Sequence, residues 1–274
     1  MTVGADKDYP SEATGPALET VNKHAADSDI VLFGSWFCPF VQRVWVAAEY
    51  LGISYKANEV DPYQKPKELV ELSHKGLVPA LRLNSFSPPR ALNESTVIMD
   101  YLEDLASTTT KRSLFPPSTD AYARALVRLQ ADHISRTLVP AFYRYLQSQD
   151  QQAQIDHGKE FVDTLEHLAS LFERAEREVG GTGMWKEGGE LGYADAMVGP
   201  WIFRANNVLT HYRGFEMPQT PKFSAWVQRL LEHPAFRCTC STDDIYVQAY
   251  LRYASNRPNT SQVANAINSG RALP

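Results

Sequence analysis

The apolar positions of this chain change period along its length, and each change predicts a different element. The first 27 residues are polar, with scattered Pro and Gly, and read as a loose extension. At Asp29 the pattern changes. "DIVLFGS" is a short apolar run bounded by polar and turn residues, which suits a buried strand. Val41, Val44, Trp45, Ala48 and Leu51 then recur at helical spacing, and Gly52 closes that pattern. "ISYKANEV" is β-like and "QKPKELVELS" is a short helix candidate. "LVPALRL" is strand-like despite Pro79, and "PPRAL" suits an edge strand. "NESTVIMDYLEDL" puts Val97, Ile98, Tyr101, Leu102 and Leu105 on one helix face. The order is β-α-β-α-β-β-α. It predicts a right-handed parallel β-α-β unit followed by a hairpin.

"ASTTTKRSLFPPSTD" is rich in Ser, Thr and Pro and reads as a linker. Beyond it the pattern is helical. Val127, Ala131, Ile134, Leu138 and Phe142 form one stripe. Phe161, Leu165, Leu168, Phe172, Ala175 and Val179 form another, and both read as core faces. Pro140 should kink or end the first helix. "GTGMWKEGGELG" is a glycine-rich loop without the lysine of a phosphate loop. "YADAMVGPWIFRANNVL" and "TPKFSAWVQRLLEHPAF" are further helices. The residues after Ser241 are weakly patterned and predict a docked or frayed tail. The expected organisation is an extension (1–27), an α/β domain (28–106), a linker (107–118), an all-helical domain (119–241) and a tail (242–274).

Composition removes several function classes. The 274 residues carry a net charge of -5 and 43% apolar residues, enough for a large core in one or two domains. No basic block suggests nucleic acid, and no apolar run approaches the roughly 18 residues of a membrane span. The first residues lack the basic start and apolar centre of a signal peptide, so the expected location is cytoplasmic. The three cysteines, Cys38, Cys238 and Cys240, do not make a disulfide framework. The C-x-C pair has no neighbouring thiol to complete a metal site and reads as surface thiols. The seven histidines show no ligand spacing, so no metal is expected.

Cys38 stands apart. It lies between a predicted strand and a predicted helix, where unpaired backbone N–H groups and the helix dipole favour an anion. Pro39 suits the first helical turn, because its missing N–H would be unpaired there. Such a position can lower a thiol pKa into the range of about 3.5–7.5. The junction alone leaves a small packed cysteine equally open. A dithiol reductant would carry Cys-x-x-Cys, but Val41 fills the fourth place. A second thiol must therefore come from solution, and glutathione is the obvious candidate.

"SWFCPFVQRVWVAAEYLG", "QKPKELVEL", "KGLVPAL", "NESTVIMDYLE" and "YADAMVGPWIFR" follow one another as in the cytosolic glutathione transferases. The resemblance spans roughly residues 29 to 240, and Cys-Pro-Phe-x-x-Arg is similar to the cysteine-bearing omega class (fungal omega and plant lambda-like members). It implies a thioredoxin-like N-terminal domain and an all-α C-terminal domain. It also implies that Cys38 forms a mixed disulfide with glutathione and that Phe40 lines the glutathione site. Lys65 would reach the glycyl carboxylate. Val78 would offer its main chain to the cysteinyl part, beside a cis Pro79. Glu94 and Ser95 would hold the γ-glutamyl end at a helix N-terminus; plain helix capping is the competing explanation for them. Tyr143, Trp201 and Arg204 would lie near the second-substrate pocket, with interdomain packing as the alternative. Arg43 reads as structural. One departure is Gly192, where the family usually has a Ser or Thr cap three residues before Asp195. A less stable second domain is the expected consequence.

The function this resemblance implies is an omega-like, glutathione-dependent thiol transferase: mixed-disulfide exchange, deglutathionylation and dehydroascorbate reduction through Cys38. Glutathione would be its cosubstrate, and a small electrophile or disulfide its second substrate. The homodimer of the family is expected. The alternatives are a non-catalytic protein that binds glutathione and an apolar ligand, a specialised glutathione-dependent isomerase or conjugating enzyme, and an intracellular-chloride-channel-like protein.

Overall fold

The computed structural model describes residues 12–61 and 63–274. Its first layer is a four-stranded sheet in the order β2-β1-β3-β4, from Ile30–Gly34 (β1), Lys56–Glu59 (β2), Ala80–Leu83 (β3) and Arg90–Asn93 (β4). β1 pairs parallel with β2 and antiparallel with β3, and β3–β4 is a hairpin with Leu81 opposite Leu92. Both faces of β1 are covered, which explains its continuous apolar run. Ile30, Leu32, Leu81 and Leu83 join the main core, while Val31, Phe33 and Ala80 pack on Leu69 of helix α3 (Lys67–Leu72). The strand period of two sorts these residues between the faces.

Helix α2 (Pro39–Leu51) begins at Cys38 as N-cap and ends at left-handed Gly52, with the Ile53 N–H donating to Ala48 O at 3.0 Å. It is buried nearly all round, because it packs on α4 (Ser95–Thr108) from one domain and α8 (Tyr193–Arg204) from the other. The buried face of α4 is Ser95, Ile98, Met99, Leu102 and Ala106. The expected stripe was therefore displaced: Val97 is exposed and Tyr101 and Leu105 are only half-buried. Small and sulfur-bearing residues, Ala106 and Met99, fill the interface where the sequence pattern gave weight to larger ones. The segment after α4 is tied down, with the buried carboxylate of Glu103 accepting the Leu114 N–H at 2.8 Å.

The helical layer contains α5 (Ala121–His133), α6 (Val139–Gln147), α7 (Gln151–Val179) and α8, then α9 (Thr210–Arg213), α10 (Pro221–Glu232) and α11 (Pro234–Arg237). As expected of Pro140, the regular α-helix gives way locally before it, and Pro140 falls in the first turn of α6. A widened π-helical turn, Ile134–Leu138, carries the chain from α5 into α6 and takes up the missing N–H. The tail is docked: α12 (Asp243–Ala254) and α13 (Gln262–Asn268) pack on α6, and Gln147 Nε2 donates to Ala264 O at 3.3 Å.

Part of the expected loose extension is a helix, α1 (Gly15–Lys23). Residues 1–11 lie outside the described residues. The Ala17 N–H donates to Cys240 O at 3.0 Å, Thr20 Oγ1 donates to Cys238 O at 2.7 Å, and the Ala57 N–H donates to His24 O at 2.8 Å. The buried anchors are small, Ala13, Ala17 and Thr20, so the hydrophobic pattern carries little signal for this docking. Cys238 and Cys240 are half-buried within it rather than surface thiols.

Candidate active site

Cys38 caps α2, and its own N–H donates to Ser35 O at 2.8 Å. It opens to a cavity of about 380 Å³ with Phe40, Lys65, Val78, Tyr143, Tyr250 and Tyr253 in its walls. The N–H groups of Phe40 and Val41 at the helix start and the guanidiniums of Arg204 and Arg43 all favour the anion of its sulfur. Burial opposes all four and wins. It pushes the Cys38 thiol above its ordinary value of 9.0. The lowered pKa expected from the strand-to-helix junction is thereby corrected: the junction supplies the donors, but the tyrosine-walled cleft removes water from the sulfur.

Lys65 Nζ donates to Lys75 O at 3.0 Å, so its chain lies over Gly76. Gly76 has φ +60, and a Cβ there would meet Lys65 Cδ at 2.7 Å. Val78 precedes a cis Pro79. These two residues, with Glu94 and Ser95, border a second cavity of about 830 Å³ that also reaches Phe40 and Arg43. Ser95 is the first residue of α4 and Glu94 its N-cap, at φ 68. Val78 and Phe40 line both cavities, so the thiol, the Val78 main chain and the α4 N-terminus fall along one continuous cleft. An extended tripeptide with a carboxylate at each end matches the two features at the ends of this cleft: an ammonium and the free N–H groups of a helix start.

Trp201 and Arg204, expected at the second-substrate pocket, line neither cavity. α8 is interior, so both side chains are fully buried behind the cleft wall. The Trp201 ring meets Phe40 edge-on at 5.0 Å, and Arg43 lies 4.3 Å above it. Arg204 Nη2 donates to Phe37 O at 2.7 Å, and Nη1 donates to Gln42 Oε1 at 2.7 Å and Pro200 O at 2.8 Å. Arg43 Nε donates to Met197 O at 2.9 Å. These bonds join the two domains beneath the thiol.

Sequence reasoning missed Tyr63, Tyr250, Tyr253 and the segment 259–265 in the cavity wall. The stripe Tyr246, Tyr250, Tyr253 was readable at helical spacing, but which side it faces depends on how α12 docks. The glycine at 192 also has a structural reason. A Cβ on Gly192 would lie 2.9 Å from Gly183 Cα. Asp195 Oδ2 accepts the N–H groups of Gly192 at 2.9 Å and Met184 at 2.8 Å, and Oδ1 accepts Trp226 Nε1 at 2.8 Å. The missing hydroxyl cap is thus accompanied by a close loop contact that a side chain at 192 would obstruct and by a three-donor aspartate that holds the helix start.

The family description "Glutathione S-transferase, N-terminal domain" matches residues 37–105. A probable glutathione S-transferase of Oryza sativa subsp. indica is 30% identical over 217 residues, covering 75% of this chain and 86% of the relative. A probable glutathione transferase omega-2 of Caenorhabditis elegans is 28% identical over 242 residues, 85% of this chain and 89% of the relative. The crystal structure of glutathione transferase Omega 3C from Trametes versicolor superposes with a TM-score of 0.76 at 32% identity, covering 89% of this chain and 98% of that one. The chain belongs to the glutathione transferases, with omega-class and plant relatives among its matches. Its thioredoxin-like sheet followed by an all-helical domain is the fold of that family. No helix among the described residues is long and apolar enough to cross a membrane.

Proposed function

We propose that this protein is a glutathione-dependent thiol transferase of omega type, with Cys38 as the reacting thiol. The observation that carries this reading is the placement of Cys38: it lines the cleft at the N-terminus of α2, as the N-cap residue ahead of Pro39. Cys238 opens to a different cavity beside Glu49 and His233, and Cys240 packs against Gln42. Neither is placed to resolve a disulfide at Cys38, so the second thiol is a glutathione from solution.

Cys38 gives up its proton, and the thiolate attacks the glutathionyl sulfur of a mixed disulfide. A Cys38–glutathione disulfide forms, the old S–S bond breaks, and the leaving thiolate takes a proton from water. A second glutathione, as thiolate, attacks the glutathionyl sulfur. Glutathione disulfide leaves and Cys38 regains its proton. With a thioether beside a ketone, the same attack breaks a C–S bond and the enolate is protonated. Dehydroascorbate reduction is an overall two-electron reaction that consumes two glutathiones. Lys65, Val78, Glu94 and Ser95 bind and orient the tripeptide, Phe40 packs beside it, and Tyr143 helps to wall the second-substrate side. Burial holds the Cys38 thiol toward its protonated form, and the thiolate that does form is correspondingly more nucleophilic. A glutathione-rich cytoplasmic setting and a homodimer belong to the same reading. Sedimentation tests the dimer, and a monomer at micromolar concentration refutes it.

The test is exchange with a glutathionylated small-molecule disulfide. Wild type should turn over and Cys38→Ser should be inactive; equal activities refute the assignment. One observation favours a second reading, a binding protein. The aromatic cavity wall and the raised Cys38 pKa suit ligand binding without turnover. That reading predicts tight ligand binding that survives Cys38→Ser, with negligible exchange by either form.

A further inference from the structure

Two guanidiniums are buried beneath Cys38, and among the described residues neither is paired with a carboxylate. Arg204 donates to Phe37 O, Pro200 O and Gln42 Oε1, all neutral acceptors, and its buried Nε has no partner. Arg43 donates to Met197 O, and its buried Nη2 has no partner. Aromatic rings complete both shells: Tyr246 lies 4.7 Å from Arg204, and Trp201 lies 4.3 Å from Arg43. Burying a cation without an anion is strongly unfavourable. Packing alone does not require it, since an uncharged side chain could accept the same space. An arrangement with two such cations therefore points to an anion that forms beside them only during function.

We propose that Arg204 and Arg43 are positioning residues that supply the counter-charge for the Cys38 sulfur when it gives up its proton, with Arg204 also fixing the Phe37 carbonyl immediately before the thiol. This deepens the thiol-transferase reading and rests on it for its role in turnover. The other charged or titratable groups around the sulfur do not supply that charge. Tyr63, Tyr143, Tyr250 and Tyr253 line the cavity, and burial pushes each phenol upward, so they stay neutral near pH 8. Lys65 is exposed, so water screens its charge while its Nζ donates to Lys75 O, and Arg252 lies against the Tyr63 ring at 4.6 Å. The pair of arginines opposes the cost of burying the thiolate.

The test measures alkylation of Cys38 by iodoacetamide across pH, read by peptide mass spectrometry so that Cys238 and Cys240 are scored separately. This readout needs no glutathione, so it stands even if Cys38→Ser proves active in exchange. Removing a cation disfavours the anion and raises the thiol pKa. Arg204→Gln should move the alkylation midpoint up by about one pH unit, an approximately tenfold lower rate at pH 7.5, with the limiting rate at high pH retained. Arg204→Lys, which keeps the charge, should restore most of the midpoint. Arg43→Gln reads the same effect from the other cation and serves if Arg204→Gln fails to fold. Unchanged midpoints in the folded variants, whatever happens to thermal stability, would overturn the proposal.

Discussion

Replacing Asp195 with alanine removes the acceptor of three buried donors: the N–H groups of Gly192 and Met184 and the Trp226 indole, at 2.8–2.9 Å. Each buried donor left without an acceptor costs about 1–3 kcal/mol. Part of this is offset, because the carboxyl is itself expensive to bury; burial pushes its pKa up despite the three donors. The net loss for Asp195→Ala should be about 3–5 kcal/mol, which for a chain of this size lowers Tm by about 10 °C. Asp195→Asn keeps the shape. One amide oxygen still accepts the two backbone N–H groups, but the amide NH2 then faces the indole N–H, so about 2 kcal/mol should be lost. Urea unfolding followed by tryptophan fluorescence measures both variants, since Trp226 and Trp185 pack in this region. Asp195 starts the helix whose last residue, Arg204, grips the Phe37 carbonyl beside the thiol. The two variants should therefore lose exchange activity on heating in the order that they lose stability. A loss below about 1 kcal/mol for Asp195→Ala would refute the reasoning.

Two further expectations concern charge. Burial pushes Glu59 up to about 7, although it accepts the Ala13 N–H at 2.9 Å. A carboxyl with a raised folded pKa favours the fold when protonated, so its contribution is lost as pH rises from about 4.5 through 7. Discounted for its partial exposure, Glu59→Gln should stabilise the protein by about 1 kcal/mol at pH 8 and be near neutral at pH 4, measured by urea midpoints. A variant no more stable at pH 8 than at pH 4 relative to wild type would contradict this. Lys65→Ala should raise KM for glutathione about tenfold with little change in kcat, because one exposed ion contact is worth about 1 kcal/mol; an unchanged KM would remove Lys65 from the site.

Apolar patterning located β1 and β3, because a buried strand must show its covering in its own residues, whereas the half-buried β2 and the largely exposed β4 were legible only as β-like and edge segments between turn residues. It located the long helices too, and the Cys-Pro junction with its N–H donors was visible for the same local reason. The displaced face of α4 and the docked helix α1 were not visible, because their buried anchors include small side chains, Ala106, Ala13 and Ala17, that carry little pattern.

Local sequence thus determined the order of the sheet domain's elements, the long helices and where a thiol meets a helix start. Only the packing of α8 on α2, and of α12 around the cavity, decided that thiol's environment: tyrosines that exclude water, Arg204 brought from a distant part of the chain, and the nearby Arg43 buried against α8. The physical reason is range. Caps, turns and amphipathic faces are set within a few residues, whereas desolvation and a buried charge sum over every group brought close in space, and that sum reversed the shift expected of Cys38.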